Sequence, residues 1–340
     1  MIQIEISRYG PPEVLRLREV PDMQPSRGQV RIRVKASGIN FADILARKGL
    51  YPDAPKPPCV VGYEVAGVVD AVGAEVSSDW MGKRVLALTR FGGYSHSVIV
   101  DASFIREIPA TLGFPEAAAL PVNYLTAYQL VVVMGGLTAG DTLLIHNAGG
   151  GVGLAALDIA KRIGARTIGT ASAHKHRFLT QRGLDAAVDY RKQDWVEEVF
   201  RLTEGKGVEL AIDPIGGKSF KKSYQVLRAT GRLGVFGISA ATEQKGNRKW
   251  NLLKIALQMP FFHPIGLMNR NRGVFGVNLG HLWNEGEKVR GWLQAIVDGV
   301  REGWVRPHVD RTFPFARAAE AHQYIESRQN LGKVVLVPEE

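Results

Sequence analysis

Beginning at Asp141, short apolar runs alternate with helical patterns, and this rhythm constrains the fold more than any other feature of the chain. Residues 142–146, 167–170, 186–190, 208–213 and 232–238 read as strands, with helices between them at 153–163, 175–182, 195–202 and 220–229. Each helix carries the chain back to the same end of the sheet, so the strands pair in parallel and the sheet is doubly wound. Residues 273–279 supply one more strand, expected at the outer edge. The first third reads differently. Residues 29–34 alternate apolar with polar, and 65–72 and 85–88 are apolar runs beside glycines, which suggests an antiparallel or barrel-like half. Helices at 288–302 and 316–328 and a last strand at 333–337 follow the edge strand.

Within the parallel half, Leu143-Leu144-Ile145-His146-Asn147-Ala148-Gly149-Gly150-Gly151-Val152-Gly153-Leu154 is a buried strand entering a glycine cluster that opens a helix. Glycines let the chain turn tightly and let a pyrophosphate approach the N–H groups at the helix start. Read as G-x-G-x-x-G, the three positions are Ala148, Gly150 and Gly153, so the first glycine is absent. With Gly149, Gly151 and Val152 they form the candidate phosphate turn of a dinucleotide site. The following strand ends in Thr170-Ala171-Ser172 without the acid that binds a 2′-hydroxyl in NAD sites. Ser172, Lys175 and Arg177 suit a 2′-phosphate instead, so the expected cofactor is NADP(H), with Tyr190 at the next strand end beside it. Gly217-Lys218-Ser219 is not a P-loop, because the glycine required five residues earlier is Ile212. His174 and His176 have no acidic or thiol neighbour in sequence and read as surface residues.

Composition removes other classes. The single cysteine, Cys59, forbids an intramolecular disulfide and any zinc site built from several thiolates, and fits a reducing, cytoplasmic setting. Residues 117–140 carry no Asp, Glu, Lys or Arg, but Pro121, Asn123, Thr126, Gln129 and Gly135-Gly136 lie inside the stretch, so a buried helix is expected rather than a transmembrane span. No basic segment followed by an apolar one marks the N-terminus as a secretory signal. The net charge of +10 concentrates in residues 161–192, with eight cations against two acids, and in 245–272, with six cations and no acid. Neither stretch carries a nucleic-acid-binding signature, which favours a phosphate-bearing cofactor over nucleic acid.

Ser37-Gly38-Ile39-Asn40-Phe41-Ala42-Asp43, Arg47-Lys48-Gly49-Leu50-Tyr51-Pro52 and Gly62-Tyr63-Glu64-Val65-Ala66-Gly67 resemble the zinc-free quinone oxidoreductase branch of the medium-chain dehydrogenase/reductases. More narrowly, Asn40-Phe41-Ala42-Asp43, Val122-Asn123-Tyr124-Leu125-Thr126-Ala127-Tyr128 and Asp213-Pro214-Ile215-Gly216-Gly217 resemble the vesicle amine transport protein homologues, and the likeness continues through residues 306–310 to Gly332-Lys333-Val334-Val335, spanning nearly the whole chain. The resemblance implies an α/β protein with a GroES-like, β-rich catalytic domain made from both ends (residues 1–123 and 282–340) and an inserted Rossmann dinucleotide-binding domain (124–281). It implies Thr126 beneath the nicotinamide. Where zinc-using relatives place their metal ligands, this chain holds Asn40, Tyr63-Glu64 and Val122, so no metal is expected. A substrate carbonyl must then be polarised by neutral donors or water. Asn40 offers an amide, Tyr51 a phenol that stays protonated at neutral pH, and Asn123 a second amide.

The resulting expectation is an NADPH-dependent oxidoreductase delivering hydride to quinones or α,β-unsaturated carbonyls. The alternative is a nucleotide-binding protein whose basic, apolar residues 250–272 dock on an anionic membrane surface or a partner. Strand 273–279 has neither charge nor proline to block its edge, and relatives of this branch join their cofactor sheets edge to edge, so a homodimer is expected through it.

Overall fold

In the computed structural model, which describes residues 1–242 and 254–339, the chain starts with an antiparallel pair, β1 (Ile2–Ile6) and β2 (Leu15–Glu19). Strand β3 (Gln29–Ile39) then pairs antiparallel with β4 (Glu64–Val72), which pairs with β5 (Arg84–Leu88). β6 (Ser97–Asp101) joins β3, and β7 (Ile105–Glu107) joins β5. The alternation read from sequence is real: Val30, Ile32 and Val34 turn inward and pack with Val65, Val69 and Val85. Between β3 and β4 lies α1 (Phe41–Arg47), started by Asn40 in extended conformation. Asp43, three residues on, accepts the Asn40 backbone N–H at 2.7 Å, the return half of a capping box.

Two short helices follow, α2 (Phe114–Ala117) and α3 (Pro121–Tyr128), the latter running on as a π-helical turn, Gln129–Val133. The uncharged stretch is thus not one helix. A Cβ at Gly135 would lie 2.1 Å from the Leu130 carbonyl oxygen, so the chain folds back there. Val133 and Met134 reach solvent while Leu125, Leu130 and Val131 are fully buried. Among the described residues no helix is long and apolar enough to cross a membrane.

The parallel half then unfolds in order: β8 (Thr142–His146), α4 (Gly151–Ile163), β9 (Arg166–Thr170), α5 (His176–Gln181), β10 (Ala186–Val188), α6 (Trp195–Leu202), β11 (Val208–Asp213), α7 (Lys218–Gln225), β12 (Leu227–Val235) and β13 (Gly273–Gly276). Every pairing is parallel, and the spatial order is β10-β9-β8-β11-β12-β13. Counted within this sheet that is 3-2-1-4-5-6, the dinucleotide-binding order, with the reversal between β8 and β11. Several expected bounds need correction: the strand expected at 186–190 ends at Val188, and the one expected at 232–238 runs Leu227–Val235. The helix expected at 220–229 stops at Gln225, because Val226 is buried and Leu227 already pairs with Val208 as the first residue of β12. The edge strand expected over 273–279 is only four residues long, since it pairs with Arg232–Val235 alone. The basic, apolar segment expected at 250–268 lies in part outside the described residues.

The chain finally returns to the first sheet. β14 (Val309–Pro314) pairs parallel with β15 (Lys333–Val337), and β15 lies antiparallel to β3, with Leu336 opposite Ser37. Val334 and Leu336 thereby share a core with Ile4, Ile6, Ile39 and Phe315. Two units result: residues 1–125 with 279–340, and residues 126–278.

Candidate active site and dinucleotide site

In the second unit the glycine cluster sits between the end of β8 and the start of α4, beside the strand-order reversal where ligands of such sheets bind. Asn147 takes a left-handed φ of 53°, a conformation its short polar side chain tolerates. The turn then folds back on itself. A Cβ at Gly150 would lie 2.6 Å from Asn147 Nδ2, and one at Gly153 would lie 2.5 Å from the Asn147 carbonyl oxygen. The missing first glycine also has an explanation. Ala148 fits because its neighbour on β9 is Gly169, where a Cβ would lie 2.8 Å from that of Ala148. The small residue has moved across to the adjacent strand.

Beneath this turn runs a buried polar chain at the C-terminal ends of three strands. Asp213, last residue of β11, accepts Ile215 N–H at 2.7 Å, Ser219 Oγ at 2.6 Å and Ser223 Oγ at 2.7 Å. With its proton given to Asp213, Ser223 must accept from His146 Nε2, 3.0 Å away. His146 therefore carries its proton on Nε2, and its Nδ1 accepts from Thr170 Oγ1 at 2.9 Å. Burial lowers the His146 pKa and keeps the ring neutral, in agreement with that tautomer. His146, Asp213, Thr170 and Ser223 were not singled out from sequence. The available signal was polar residues closing apolar strands.

Of the residues expected around a 2′-phosphate, Ser172 and Lys175 are both buried just beyond the end of β9, and the Lys175 backbone N–H bonds Ser172 O at 2.9 Å. Arg177 is exposed. Tyr190 follows β10, the neighbour of β9, and is 39% exposed with the Arg191 guanidinium 5.9 Å from its ring centre. Thr126, on α3, is buried.

The first unit holds a second buried cluster. Lys333, at the start of β15, donates to Asn40 Oδ1 at 2.7 Å and forms an ion pair with Glu64 Oε1. Asn40 Nδ2 donates to Glu64 Oε1 at 2.9 Å, and the Val122 backbone N–H donates to Glu64 Oε2 at 2.7 Å. All three side chains are at least nine-tenths buried. Gly38 makes the space: a Cβ there would lie 2.6 Å from Glu64 Oε1, from Lys333 Cε and from Ala118 O. Asp43, also fully buried, accepts Gly62 N–H at 3.0 Å as well as Asn40 N–H. Burial outweighs these bonds and raises its pKa to about 7. Glu64 stood in the sequence as the counterpart of a metal ligand in zinc-using relatives and Lys333 as part of a resembling segment; that the two pair with each other was not legible.

Tyr51 packs edge-on against Tyr63, with ring centres 6.0 Å apart, and Tyr63 lies 5.4 Å from Phe91. The Tyr63 hydroxyl is buried with no hydrogen-bond partner among the described residues, and burial raises its pKa. Asn123, on α3, donates its amide back to Ala119 O at 3.2 Å. The residues do not fit a zinc ion at the position zinc-using relatives employ. Glu64 is saturated by a lysine ammonium, an amide and a backbone N–H, and Tyr63 and Val122 bring no thiolate or imidazole. Among the described residues no three His, Cys, Asp or Glu side chains converge.

Two family models match the chain, an alcohol dehydrogenase GroES-like domain over residues 26–110 and a zinc-binding dehydrogenase over residues 182–336. The synaptic vesicle membrane protein VAT-1 homolog of Danio rerio is 40% identical over 316 residues, and the match covers 92% of this chain and 64% of that protein. The quinone oxidoreductase of Pseudomonas aeruginosa is 31% identical over 340 residues, covering 99% of both. Among solved structures, Escherichia coli quinone oxidoreductase complexed with NADPH superposes with a TM-score of 0.87 at 29% identity, covering 99% of this chain and 100% of that one. The CurK enoyl reductase superposes at 0.84 with 27% identity, covering 99% of each.

Proposed function

Because the chain belongs to the medium-chain dehydrogenase/reductase superfamily, with quinone oxidoreductases and VAT-1 homologues among its relatives, we propose that it is a zinc-independent, NADPH-dependent reductase of quinones or α,β-unsaturated carbonyls. The observation that carries this reading is the end of β9. Among the described residues the end of β9 carries no carboxylate, which an NAD site uses for the ribose 2′-hydroxyl, and the buried Ser172 and Lys175 follow it instead, beside a glycine turn crowded at Gly150 and Gly153. The NADPH with which the Escherichia coli quinone oxidoreductase is complexed supports it. When bound, the dinucleotide supplies the hydride.

The chain's own residues bind and orient. The turn 148–153 receives the pyrophosphate, Ser172, Lys175 and Arg177 the 2′-phosphate, Tyr190 flanks them, and Thr126 supports the nicotinamide. Asn40, Tyr51 and Asn123 are the candidate donors to an acceptor oxygen. Asn123 spends one amide hydrogen on Ala119, so its second is the one on offer. Tyr51 is held by an aromatic neighbour, a setting suited to a flat, conjugated acceptor. With one cysteine, a reducing cytoplasmic location suits the chain. The short edge strand β13 is the proposed seam of a homodimer.

The test is a spectrophotometric screen of NADPH oxidation over quinones, enones and enoyl thioesters, with NADH as the control. Turnover with NADPH and at least one of these acceptors is expected; none with any acceptor, or equal affinity for both cofactors, refutes the reading. A second reading draws on a separate observation. Leu257, Phe261, Ile265 and Met268 are 78%, 86%, 56% and 66% exposed on a stretch whose only charges are basic, as a membrane-docking surface requires. Flotation with anionic liposomes, without NADPH turnover, would favour it.

A further inference from the structure

The contacts around Asn40 leave its amide one permitted orientation. A lysine ammonium has no acceptor, so Lys333 can meet only the amide oxygen; a carboxylate has no donor, so Glu64 can meet only the amide nitrogen. Turning the amide over would set Nδ2 against Nζ and Oδ1 against Oε1 in a dry site, where unpaired polar groups are costly. One Nδ2 hydrogen is spent on Glu64. Among the described residues the other has only the Gly38 carbonyl at 3.5 Å, the outer limit of a hydrogen bond, and so is poorly held. Lys333 also acts on the strength of that donor. A cation hydrogen-bonded to an amide oxygen draws electron density from the nitrogen, and in a low-dielectric setting this polarisation passes along the chain.

We propose that Lys333 is a positioning residue, which fixes and polarises the Asn40 amide so that its second N–H is directed at the oxygen of the acceptor during hydride transfer. The inference rests on the proposed reductase reading and on Asn40 as a donor in it. Lys333 touches no reacting atom; it acts through Asn40. Two features of the chain serve this arrangement. Gly38 is bare because both Lys333 Cε and Glu64 Oε1 occupy its side-chain space, and Val122 N–H holds the second oxygen of Glu64 so that the first stays turned toward Asn40.

Removing Lys333 alone strands a buried carboxylate, so the informative variant is Lys333→Met combined with Glu64→Gln. It keeps the site filled and neutral while removing the cation, and the new glutamine offers a donor and an acceptor alike, which frees the amide to turn. The expected result is thermal unfolding close to that of the wild type, unchanged KM for NADPH, and kcat lower by about 10- to 100-fold. Wild-type turnover with kcat unchanged in a folded double variant overturns this inference alone. Absence of turnover in the wild type overturns the reductase reading and this inference with it. Should the double variant fail to fold, the wild type decides by NMR. The Asn40 side-chain amide, assigned by its loss in Asn40→Asp, is expected to show one Nδ2 proton shifted strongly downfield by its bond to the Glu64 carboxylate; two protons at ordinary side-chain amide positions overturn the proposal.

Discussion

In the first unit, Asn40, Glu64 and Lys333 enclose a complete ion pair, whereas in the second, Asp213 is met by two serine hydroxyls and reaches a neutral histidine through one of them. Both clusters are buried within their own units. The ionic cluster joins residues 40, 64 and 333, brought together only by the pairing of β3 with β4 and β15. The hydroxyl cluster joins the ends of neighbouring parallel strands and one helix. An ion pair in a dry site tolerates no loss of one partner, because the other is left charged and unsatisfied. A chain of neutral donors and acceptors degrades by smaller steps.

That difference sets the order of the effects expected on breaking each cluster. Lys333→Met alone should destabilise the protein by about 3–5 kcal/mol, since it leaves Glu64 buried without its cation. Urea unfolding measures this, and the double variant with Glu64→Gln should recover most of the loss. A smaller loss, of about 1–3 kcal/mol, is expected for Ser223→Ala, which leaves Asp213 with fewer donors and His146 Nε2 without an acceptor. A deficit as large as that of Lys333→Met would erase the distinction between the clusters.

Cofactor choice provides the next test. Lys175→Ala should remove most of a preference for NADPH over NADH, at a cost of about 1.5–3 kcal/mol in NADPH binding, with NADH affinity little changed. Isothermal titration with both cofactors reads it. Equal losses for the two would assign Lys175 to packing.

The pH dependences of the two units should differ in sign. Asp43 has its folded-state pKa raised to about 7 by burial. Between the unfolded-chain value of about 4 and 7 the native state keeps a proton that the unfolded chain has released, so this contribution to stability falls as pH rises. His146 has its pKa lowered by burial, so below about 6.5 the unfolded chain takes up a proton the native state refuses, and stability is lost as pH falls. Relative to the wild type, Asp43→Asn should therefore gain stability from pH 5 to pH 8, and His146→Asn should gain from pH 8 to pH 5. Parallel stability–pH curves for the wild type and both variants would refute the assignment.

The same contrast explains what could be read from the sequence. Residues 143–154 announce their own geometry, because strand, turn and helix start are consecutive and each glycine has a local steric reason. Even the apparent defect at Ala148 has a reason one strand away, in Gly169. The strands β8, β11 and β15 and the helix α6 were placed from periodicity alone, because burial on the pleat or helix face imposes it. The limits of β13 were not, since its length depends on how far β12 extends beside it. Glu64 and Lys333 stood in plain view as single charges beside valines, but nothing within ten residues of either reveals its partner. Asn40 was chosen for its donor chemistry; that both ends of its amide are gripped by opposite charges is a property of tertiary structure.

The insertion of β15 between β14 and β3 has a consequence for how the protein is made. On the ribosome the chain emerges from its N-terminus, so β3 and β4 are synthesised long before the strand that completes their sheet. Until Lys333 leaves the exit tunnel, Glu64 has no cation to accompany it into the interior, and the edge of β3 that β15 will cover is open. The second unit, residues 126–278, is fully synthesised by then and has all its strands in hand. The order of synthesis therefore makes the strands of residues 126–278 available to one another before β15 can complete the sheet that carries Asn40.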